Sequence, residues 1–245
     1  MSKFKRLYLD IETSPNIVFS WNVGWELDIS YENIIKEREI ICICYKWAKE
    51  GTVYSIKRTG GNEKAMLKEI TKVMEEADEI VGHNSDNFDI KWIRTRCLFY
   101  GIPMIPDYKT LDTLKLCRRG FRLNSNKLDY VAQFLGLGKK LDTGGFGLWK
   151  DICLNNSVSA LNKMIKYCKK DVILLEKVYN KLSPYIKHST HVGVIEGKDK
   201  YTCIECGSDK VQSRGYLVTI GGNKKRRCNC QECGSWYSIP IKKVK

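Results

Sequence analysis

The chain has 245 residues, of which 43% are hydrophobic, and a formal net charge of +14. This length suits one medium-sized domain plus a small module, and the hydrophobic content is enough for an ordinary core. No apolar run approaches the roughly 20 residues that a bilayer-spanning helix needs, and no signal-peptide pattern is present, so we expect a cytoplasmic protein that does not contact membranes. The positive charge is compatible with a polyanionic partner but does not require one.

Strand patterns come first along the chain, and helical patterns dominate afterwards. Apolar runs with alternation predict strands, and a 3.6-residue apolar period predicts helices. The predicted strands cover 5–13, 39–47, 52–57 and 79–82, and the predicted helices cover 63–77, 89–100, 111–118, 127–135 and 159–182. A glycine-containing, loop-rich stretch lies between 136 and 147. This order predicts an α/β domain with a mixed sheet, although it does not separate one such fold from several others.

The first predicted strand carries two acidic residues, Asp10 and Glu12, on one face, because alternate residues of a strand point to the same side. Leu7, Leu9 and Ile11 make the opposite face apolar, which favours a central strand. Neighbouring carboxylates repel each other, and a bound cation reverses the sign of that interaction. The pair therefore indicates a metal site, with a solvent-facing edge strand as the alternative.

Two further acidic motifs lie downstream of the first. Asn84 and Asp89 belong to the second motif, and Asp86 competes with Asp89 as its functional acid. Asp89 begins a predicted helix, where an acid is also common as a cap. In the third motif, Tyr167 and Asp171 are four residues apart on a predicted helix and therefore share a face.

In this order and with these separations, the three motifs resemble those of the DEDD (DnaQ-like) 3′–5′ exonuclease superfamily over roughly residues 5–185. Tyr167, rather than a histidine, makes the resemblance that of the tyrosine branch, as in the proofreading domains of family B DNA polymerases. The family motif combines an asparagine with Phe-Asp, which Asn84 and Phe88-Asp89 match, and this favours Asp89 over Asp86. The resemblance implies a ribonuclease-H-like mixed sheet flanked by helices.

The resemblance also implies a role for each motif residue. Asp10, Glu12, Asp89 and Asp171 would bind two Mg²⁺ or Mn²⁺ ions, and Tyr167 would orient or help activate the attacking water. Two such ions about 4 Å apart supply a hydroxide and stabilise the leaving oxygen of a phosphodiester. We also predict that Asn84 contacts nucleic acid, that His83 is packed or hydrogen-bonded, and that Asp112 caps a helix. The residues Trp21 and Trp25 either stack on terminal bases or pack as core or rim aromatics.

Five of the eleven cysteines cluster near the C-terminus. Cys203 and Cys206, and again Cys230 and Cys233, form Cys-x-x-Cys-Gly motifs, in which glycine permits the tight backbone of the turn. Two such turns predict a tetrahedral four-cysteine site that binds one structural Zn²⁺, which a unit this small needs in order to fold. Cys228 is either a spare thiol or an alternative ligand. The other six cysteines are interpreted as small buried hydrophobic residues.

We therefore predict a ribonuclease-H-like exonuclease domain over 1–187, a linker over 188–200 and a small β zinc-ribbon domain over 201–245. In the ribbon, a basic run with a nearby aromatic residue predicts nucleic-acid binding. The residues concerned are Lys224, Lys225, Arg226, Arg227 and Trp236. The alternative is a solubilising charge run on a ribbon that binds protein.

These observations predict a metal-dependent 3′–5′ exonuclease of DNA, acting on single strands or 3′ ends in the cytoplasm of a bacterial or phage-infected cell. A chain of 245 residues leaves no room for a polymerase domain, so we expect it to act alone or with a replication or repair partner. RNA cleavage and structure-specific cleavage by the same fold stay open as alternatives. A non-catalytic binding module is a further alternative, against which the presence of all four acids and Tyr167 argues.

Overall fold

The structure is a computed structural model and describes residues 3–24, 26–59, 61–142 and 144–241. A five-stranded mixed sheet with the order β5-β4-β1-β6-β7 forms its centre. These strands are β1 (Arg6–Thr13), β4 (Ile40–Trp47), β5 (Tyr54–Lys57), β6 (Glu79–Gly82) and β7 (Thr110–Asp112). Strand β1 pairs antiparallel with β4 and parallel with β6, so the predicted central position of the first acidic strand is confirmed. A short separate pair joins β2 (Ile17–Val18) to β3 (Ile34–Lys36).

Helices cover both faces of the sheet. They are α1 (Lys64–Glu75), α2 (Asp89–Tyr100), α3 (Thr113–Gly120), α4 (Leu128–Phe134), α5 (Gly147–Cys153), α6 (Val158–Leu182) and α7 (Val192–Ile195), with single 3-10 turns at Tyr31–Asn33 and Ser183–Tyr185. Leu7, Leu9 and Ile11 of β1 are buried in the core shared with α1 and α2. The opposite face of β1 therefore looks towards α6, and Tyr8 is buried with the residues of that helix. The mixed sheet flanked by helices is confirmed, and it is a ribonuclease-H-like fold.

Two elements differ from the sequence-based expectation. Residues 111 and 112 belong to β7 rather than to the predicted helix over 111–118, because they pair with Val81 and Gly82 of β6. Helix α5 begins at Gly147, the last residue of the predicted loop-rich stretch, and covers residues for which no element was predicted. Both elements are short, and both are fixed by packing against distant parts of the chain. In contrast, β6 and α2 have the predicted bounds.

A small antiparallel sheet forms the C-terminal part of the chain. Its order is β10-β9-β8, with β8 at Val211–Val218, β9 at Lys224–Cys230 and β10 at Trp236–Pro240. The segment predicted as a linker over 188–200 contains α7, and its His188 is buried. Within the part of the chain that the structure describes, no helix is long and apolar enough to cross a membrane.

Candidate active site

Three carboxylates converge where β1 faces α6. Asp10 and Glu12 project from β1, and Asp171 projects from α6, with one oxygen from each lying within 4.8 Å of the others. The alternation of β1 directs both strand acids to the α6 side, and the helical period brings Asp171 to the side of α6 that packs on the sheet. Asp171 is 1% exposed. The residues of the first and third motifs are thus brought together.

Asp89 approaches β1 from α2, next to the three carboxylates but not among those that lie within 4.8 Å of one another. It is the first residue of α2 and is 3% exposed, and its Oδ1 accepts a hydrogen bond of 3.0 Å from the backbone N–H of Ile11, between the two strand acids. Asp86, the competing candidate, accepts a bond of 2.7 Å from Lys115 Nζ at a site that is partly exposed. The geometry therefore places Asp89, and not Asp86, beside β1.

Lys140, which the sequence analysis did not identify, contacts two of the predicted site residues. Lys140 Nζ donates to Asp171 Oδ2 at 2.6 Å and to Tyr167 Oη at 3.2 Å. Its own backbone N–H donates to Asp129 Oδ1 at 2.7 Å, which fixes the approach of the loop that carries it. Lys139 and Lys140 are adjacent in a loop-rich stretch, and no periodicity there indicates which of the two turns inward.

A thiol also contacts the site. Cys168 Sγ lies 3.4 Å from Asp10 Oδ2 and 3.5 Å from the Asp10 carbonyl oxygen. Its side chain is buried, as predicted, but the contact with Asp10 is polar. Cys168 follows Tyr167 on α6, so the helix presents both residues to the acidic group.

Burial raises the pKa values of all four acids, and mutual repulsion adds to the shift at Asp10 and Glu12. Burial first, and then repulsion from the neighbouring carboxylates, raises the pKa of Asp10 well above its usual range and that of Glu12 to about 8. Burial raises the pKa of Asp89 to about 7 and also raises that of Asp171. Lys140 opposes the shift at each of them. These directions are those of anionic groups that lack sufficient positive charge.

The arrangement fits divalent cations. Asp171 Oδ1 is buried and has no hydrogen-bond partner among the residues that the structure describes, although Oδ2 of the same carboxylate is bonded to Lys140. Four carboxylates and one ammonium leave a balance of −3 when all five groups are ionised. Carboxylate oxygens are the ligands that Mg²⁺ and Mn²⁺ prefer. Asp10, Glu12, Asp89 and Asp171 could therefore hold such ions, and these ions would offset the repulsion among the acids.

The turn before α2 is held by Asp112. Asn84 has a φ of 65° and donates its backbone N–H to Asp112 Oδ1 at 2.9 Å. The same oxygen accepts the N–H of Leu114 at 2.9 Å, so Asp112 caps α3 as predicted. His83 Nδ1 lies 2.9 Å from Thr113 Oγ1, and burial lowers the pKa of His83 to about 4. This agrees with the prediction of a hydrogen-bonded histidine.

The packing of the structure bears only in part on the residues that were considered for contact with substrate. The side chain of Asn84 is half-buried, and its contact with nucleic acid stays a prediction. Trp21 is fully exposed and is therefore not a core residue. Trp25 lies outside the described residues.

The four cysteines of the two Cys-x-x-Cys-Gly motifs come together in the C-terminal unit. Cys203 Sγ lies 3.6 Å from Cys233 Sγ, and Cys206 Sγ lies 3.7 Å from Cys230 Sγ. These separations are close to the edge, about 3.8 Å, of a tetrahedron with zinc–sulfur bonds of about 2.3 Å. All four sulfurs lie within 4.8 Å of one another, and Cys228 is not among them.

The two motifs also share their backbone geometry. Gly207 and Gly234 have φ values of 69° and 75°, a left-handed conformation that glycine adopts without strain. Each of them donates its N–H to the carbonyl of the first cysteine of its motif, Cys203 at 2.9 Å and Cys230 at 3.1 Å. The small β domain with this cysteine cluster fits a zinc ribbon, and its closed ligand set leaves no position for a substrate.

The fold and the acidic group together define a nuclease-like protein of the ribonuclease H type. Residues 7–183 match the family described as RNase_H superfamily, and the chain belongs to it. Among solved structures, it is similar to the family B DNA polymerase from the hyperthermophilic archaeon Pyrobaculum calidifontis, with a TM-score of 0.57 and 18% sequence identity. That similarity covers 75% of this chain but only 25% of the polymerase. No curated protein sequence matches the chain.

Proposed function

We propose that the chain is a metal-dependent 3′–5′ exonuclease of the tyrosine branch that hydrolyses DNA. The observation that carries this proposal is the convergence of Asp10, Glu12 and Asp171 within 4.8 Å of one another, with Asp89 bonded to the backbone of β1 beside them. Among the described residues, Asp171 Oδ1 has no hydrogen-bond partner. A stable protein does not concentrate buried carboxylates without compensation, and two divalent ions provide it. The polarity and the DNA substrate are supported by the resemblance to proofreading domains.

Each side chain has a role in this proposal. Asp10, Glu12, Asp89 and Asp171 would hold two Mg²⁺ or Mn²⁺ ions, which would supply Lewis-acid activation of water and charge stabilisation at the phosphodiester. Burial raises the pKa of Tyr167 to about 12, so its hydroxyl stays protonated at neutral pH and orients water as a hydrogen-bond partner, not as a base.

Zn²⁺ is the proposed occupant of the four-cysteine site. Its role is structural, because four thiolates leave no open coordination position. A reducing cytoplasm, which keeps the thiols available for the metal, is the location that suits this site. Replication or repair proteins are the proposed partners, because the similarity is to part of a DNA polymerase.

The experiment is a time course on a 5′-labelled single-stranded DNA oligonucleotide with Mg²⁺ or Mn²⁺, resolved on a sequencing gel. A ladder that shortens one nucleotide at a time from the 3′ end is expected. A matched RNA oligonucleotide tests the sugar preference in parallel. Absence of cleavage of both substrates, by protein verified to contain zinc, would refute the proposal.

Two acids of one motif give a matched pair of variants. Asp89→Asn removes a charge beside β1, whereas Asp86→Asn removes a charge that contacts Lys115 near the surface. We expect Asp89→Asn to slow cleavage by at least about 100-fold and Asp86→Asn to change it by less than about threefold. Both should retain DNA binding. Equal rates for the two variants would contradict the assignment of Asp89.

A further inference from the structure

The basic run of the ribbon is divided between two faces of its sheet. Lys225 and Arg227 alternate with Lys224 and Arg226 along β9, so the two pairs point to opposite sides. Asn229 lies on the side of Arg227, and Trp236 of β10 is paired with Asn229. Directly paired residues of antiparallel strands project to the same side. Trp236 therefore shares a face with Lys225 and Arg227.

One of these faces is covered by the rest of the ribbon. Arg226 lies over the ring of Tyr201, with its guanidinium carbon 5.1 Å from the ring centroid. Tyr237, which pairs with Cys228 on the same side, donates its hydroxyl to the Thr202 carbonyl at 3.1 Å. Cys228 is 2% exposed. We call this side the covered face, although its outer end is open: Lys224 Nζ lies there 4.1 Å from the ring centroid of Tyr216, which is 54% exposed.

The opposite side, which we call the open face, consists of Gln212, Leu217, Lys225, Arg227, Asn229, Trp236, Ser238 and Pro240. Along β10, the open-face residues Trp236 and Ser238 are exposed, while Ile239 of the covered face is buried. Trp236 keeps 48% of its surface exposed, and the guanidinium carbon of Arg227 lies 5.8 Å from its ring centroid. The open face thus presents an accessible indole with the guanidinium of Arg227 over it, and Lys225 lies two positions away along β9 on the same face.

The charge of this sheet suits a polyanion. The three strands contain no aspartate or glutamate and carry five basic residues, at Arg214 and from Lys224 to Arg227. A phosphate chain that runs along β9 could contact Lys225 and Arg227 in succession. A base that is not paired could stack on Trp236, and stacking of this kind tolerates any base. A duplex keeps its bases stacked on one another and would leave the indole unused.

We propose that the open face binds single-stranded nucleic acid through the indole of Trp236 and the cations of Lys225 and Arg227, and that Lys224 and Arg226 do not take part. This inference rests on the proposed function, because the single strand that the open face binds would be the substrate of the acidic site. Of the four consecutive basic residues that were predicted to bind nucleic acid, this inference assigns binding to Lys225 and Arg227.

The test uses the full zinc-loaded chain carrying Asp10→Asn, so that bound DNA is not degraded. Fluorescence anisotropy measures its affinity for labelled oligothymidine at several KCl concentrations. Lys225→Gln with Arg227→Gln is compared with Lys224→Gln with Arg226→Gln, because both double variants remove the same charge from the same strand. Zinc content and thermal unfolding verify that each variant is folded.

We expect the open-face double variant to weaken binding by at least about tenfold and to reduce the salt slope by about 1.4, which corresponds to two phosphate contacts. The covered-face double variant should stay within about threefold. Trp236→Ala should weaken binding at least about fivefold without changing the salt slope. Oligouridine should bind similarly, and duplex DNA should bind more weakly.

Equal losses for the two double variants would overturn the inference, because binding would then follow net charge and not one face. No effect of Trp236→Ala on the affinity for oligothymidine would also overturn it. Cleavage by the chain with its native Asp10 is measured separately. Cleavage together with unaltered binding by the open-face variant would reject the inference and leave the proposed function standing. Binding that depends on the open face, without any cleavage by the native chain, would support this inference and reject the proposed function.

Discussion

A glutamate inside the first cysteine motif joins the ribbon to the nuclease-like domain. Glu205, between Cys203 and Cys206, accepts hydrogen bonds from Arg6 at 2.8 and 3.0 Å and from the Tyr179 hydroxyl at 2.7 Å. His188 Nδ1 lies 2.9 Å from the same carboxylate. Burial alone would raise the pKa of Glu205, but the contacts with His188 and Arg6 lower it to about 2, so the carboxylate is ionised at neutral pH.

Glu205→Gln tests how much this contact stabilises the protein. Glutamine keeps the shape of the side chain but removes the charge, and it turns an NH2 group towards donors that need an acceptor. Breaking a buried ion pair by removing one partner costs about 3–5 kcal/mol. Arg6 retains Glu79, whose Oε2 lies 2.7 Å from Arg6 Nε, so we expect the lower end, a decrease of about 3 kcal/mol in the free energy of unfolding.

Glu232 is a matched control, because it occupies the corresponding position of the second cysteine motif. Its carboxylate lies 3.2 Å from Lys210 Nζ, and the two side chains are 54% and 71% exposed. Exposed pairs of this kind contribute about 0–1 kcal/mol, so Glu232→Gln should change the free energy of unfolding by less than about 1 kcal/mol. The two variants thus make the same chemical change, at a buried carboxylate in one case and at an exposed carboxylate in the other.

The assay is urea unfolding of zinc-loaded protein, followed by circular dichroism and tryptophan fluorescence, with zinc content measured for each variant. The stability difference is read from the midpoint at an unchanged m-value. If both variants unfold within about 1 kcal/mol of each other while each retains one zinc, the buried network does not hold the two parts together and the reasoning is wrong. A change in the m-value would instead show that the unfolding unit itself has altered.

Three further outcomes are expected. Lys140→Ala should slow cleavage about 100-fold because it removes the cation that contacts Asp171 and Tyr167, whereas the exposed neighbour Lys139→Ala should have little effect in the same gel assay. The pKa values of Glu12 and Asp89 are raised to about 8 and 7 without metal, so Mg²⁺ binding at pH 7 should release protons and should tighten as the pH rises through this range. Calorimetry in buffers of different ionisation enthalpy measures the number of protons released. An Mg²⁺ affinity that does not change with pH would contradict this expectation. Removing zinc with a strong chelator should abolish the ribbon's structure by circular dichroism, and preserved ribbon structure in metal-free protein would show that the metal is dispensable.

The acidic site was predicted from the resemblance of its three motifs to a known superfamily, and local sequence determines how each motif orients its side chains. The alternation of β1 directs Asp10 and Glu12 to one side, and the helical period directs Tyr167 and Asp171 to another shared side. The cysteine motifs likewise specify their turns, because only glycine adopts the observed φ of Gly207 without strain. Each of these features depends on residues a few positions apart, so the sequence pattern alone determines it.

What the sequence could not decide depends on contacts between distant residues. Lys140 reaches Asp171 across 31 positions, and Arg6 reaches Glu205 across 199, and neither pairing leaves a periodic signal. The pairing of β9 with β10 decides which two of the four basic residues share a face with Trp236, although alternation already divides them into two pairs. Local periodicity thus determined the orientation of each acid on its own element, and only the tertiary structure decided which charges meet, because electrostatic contacts act through space and not along the chain.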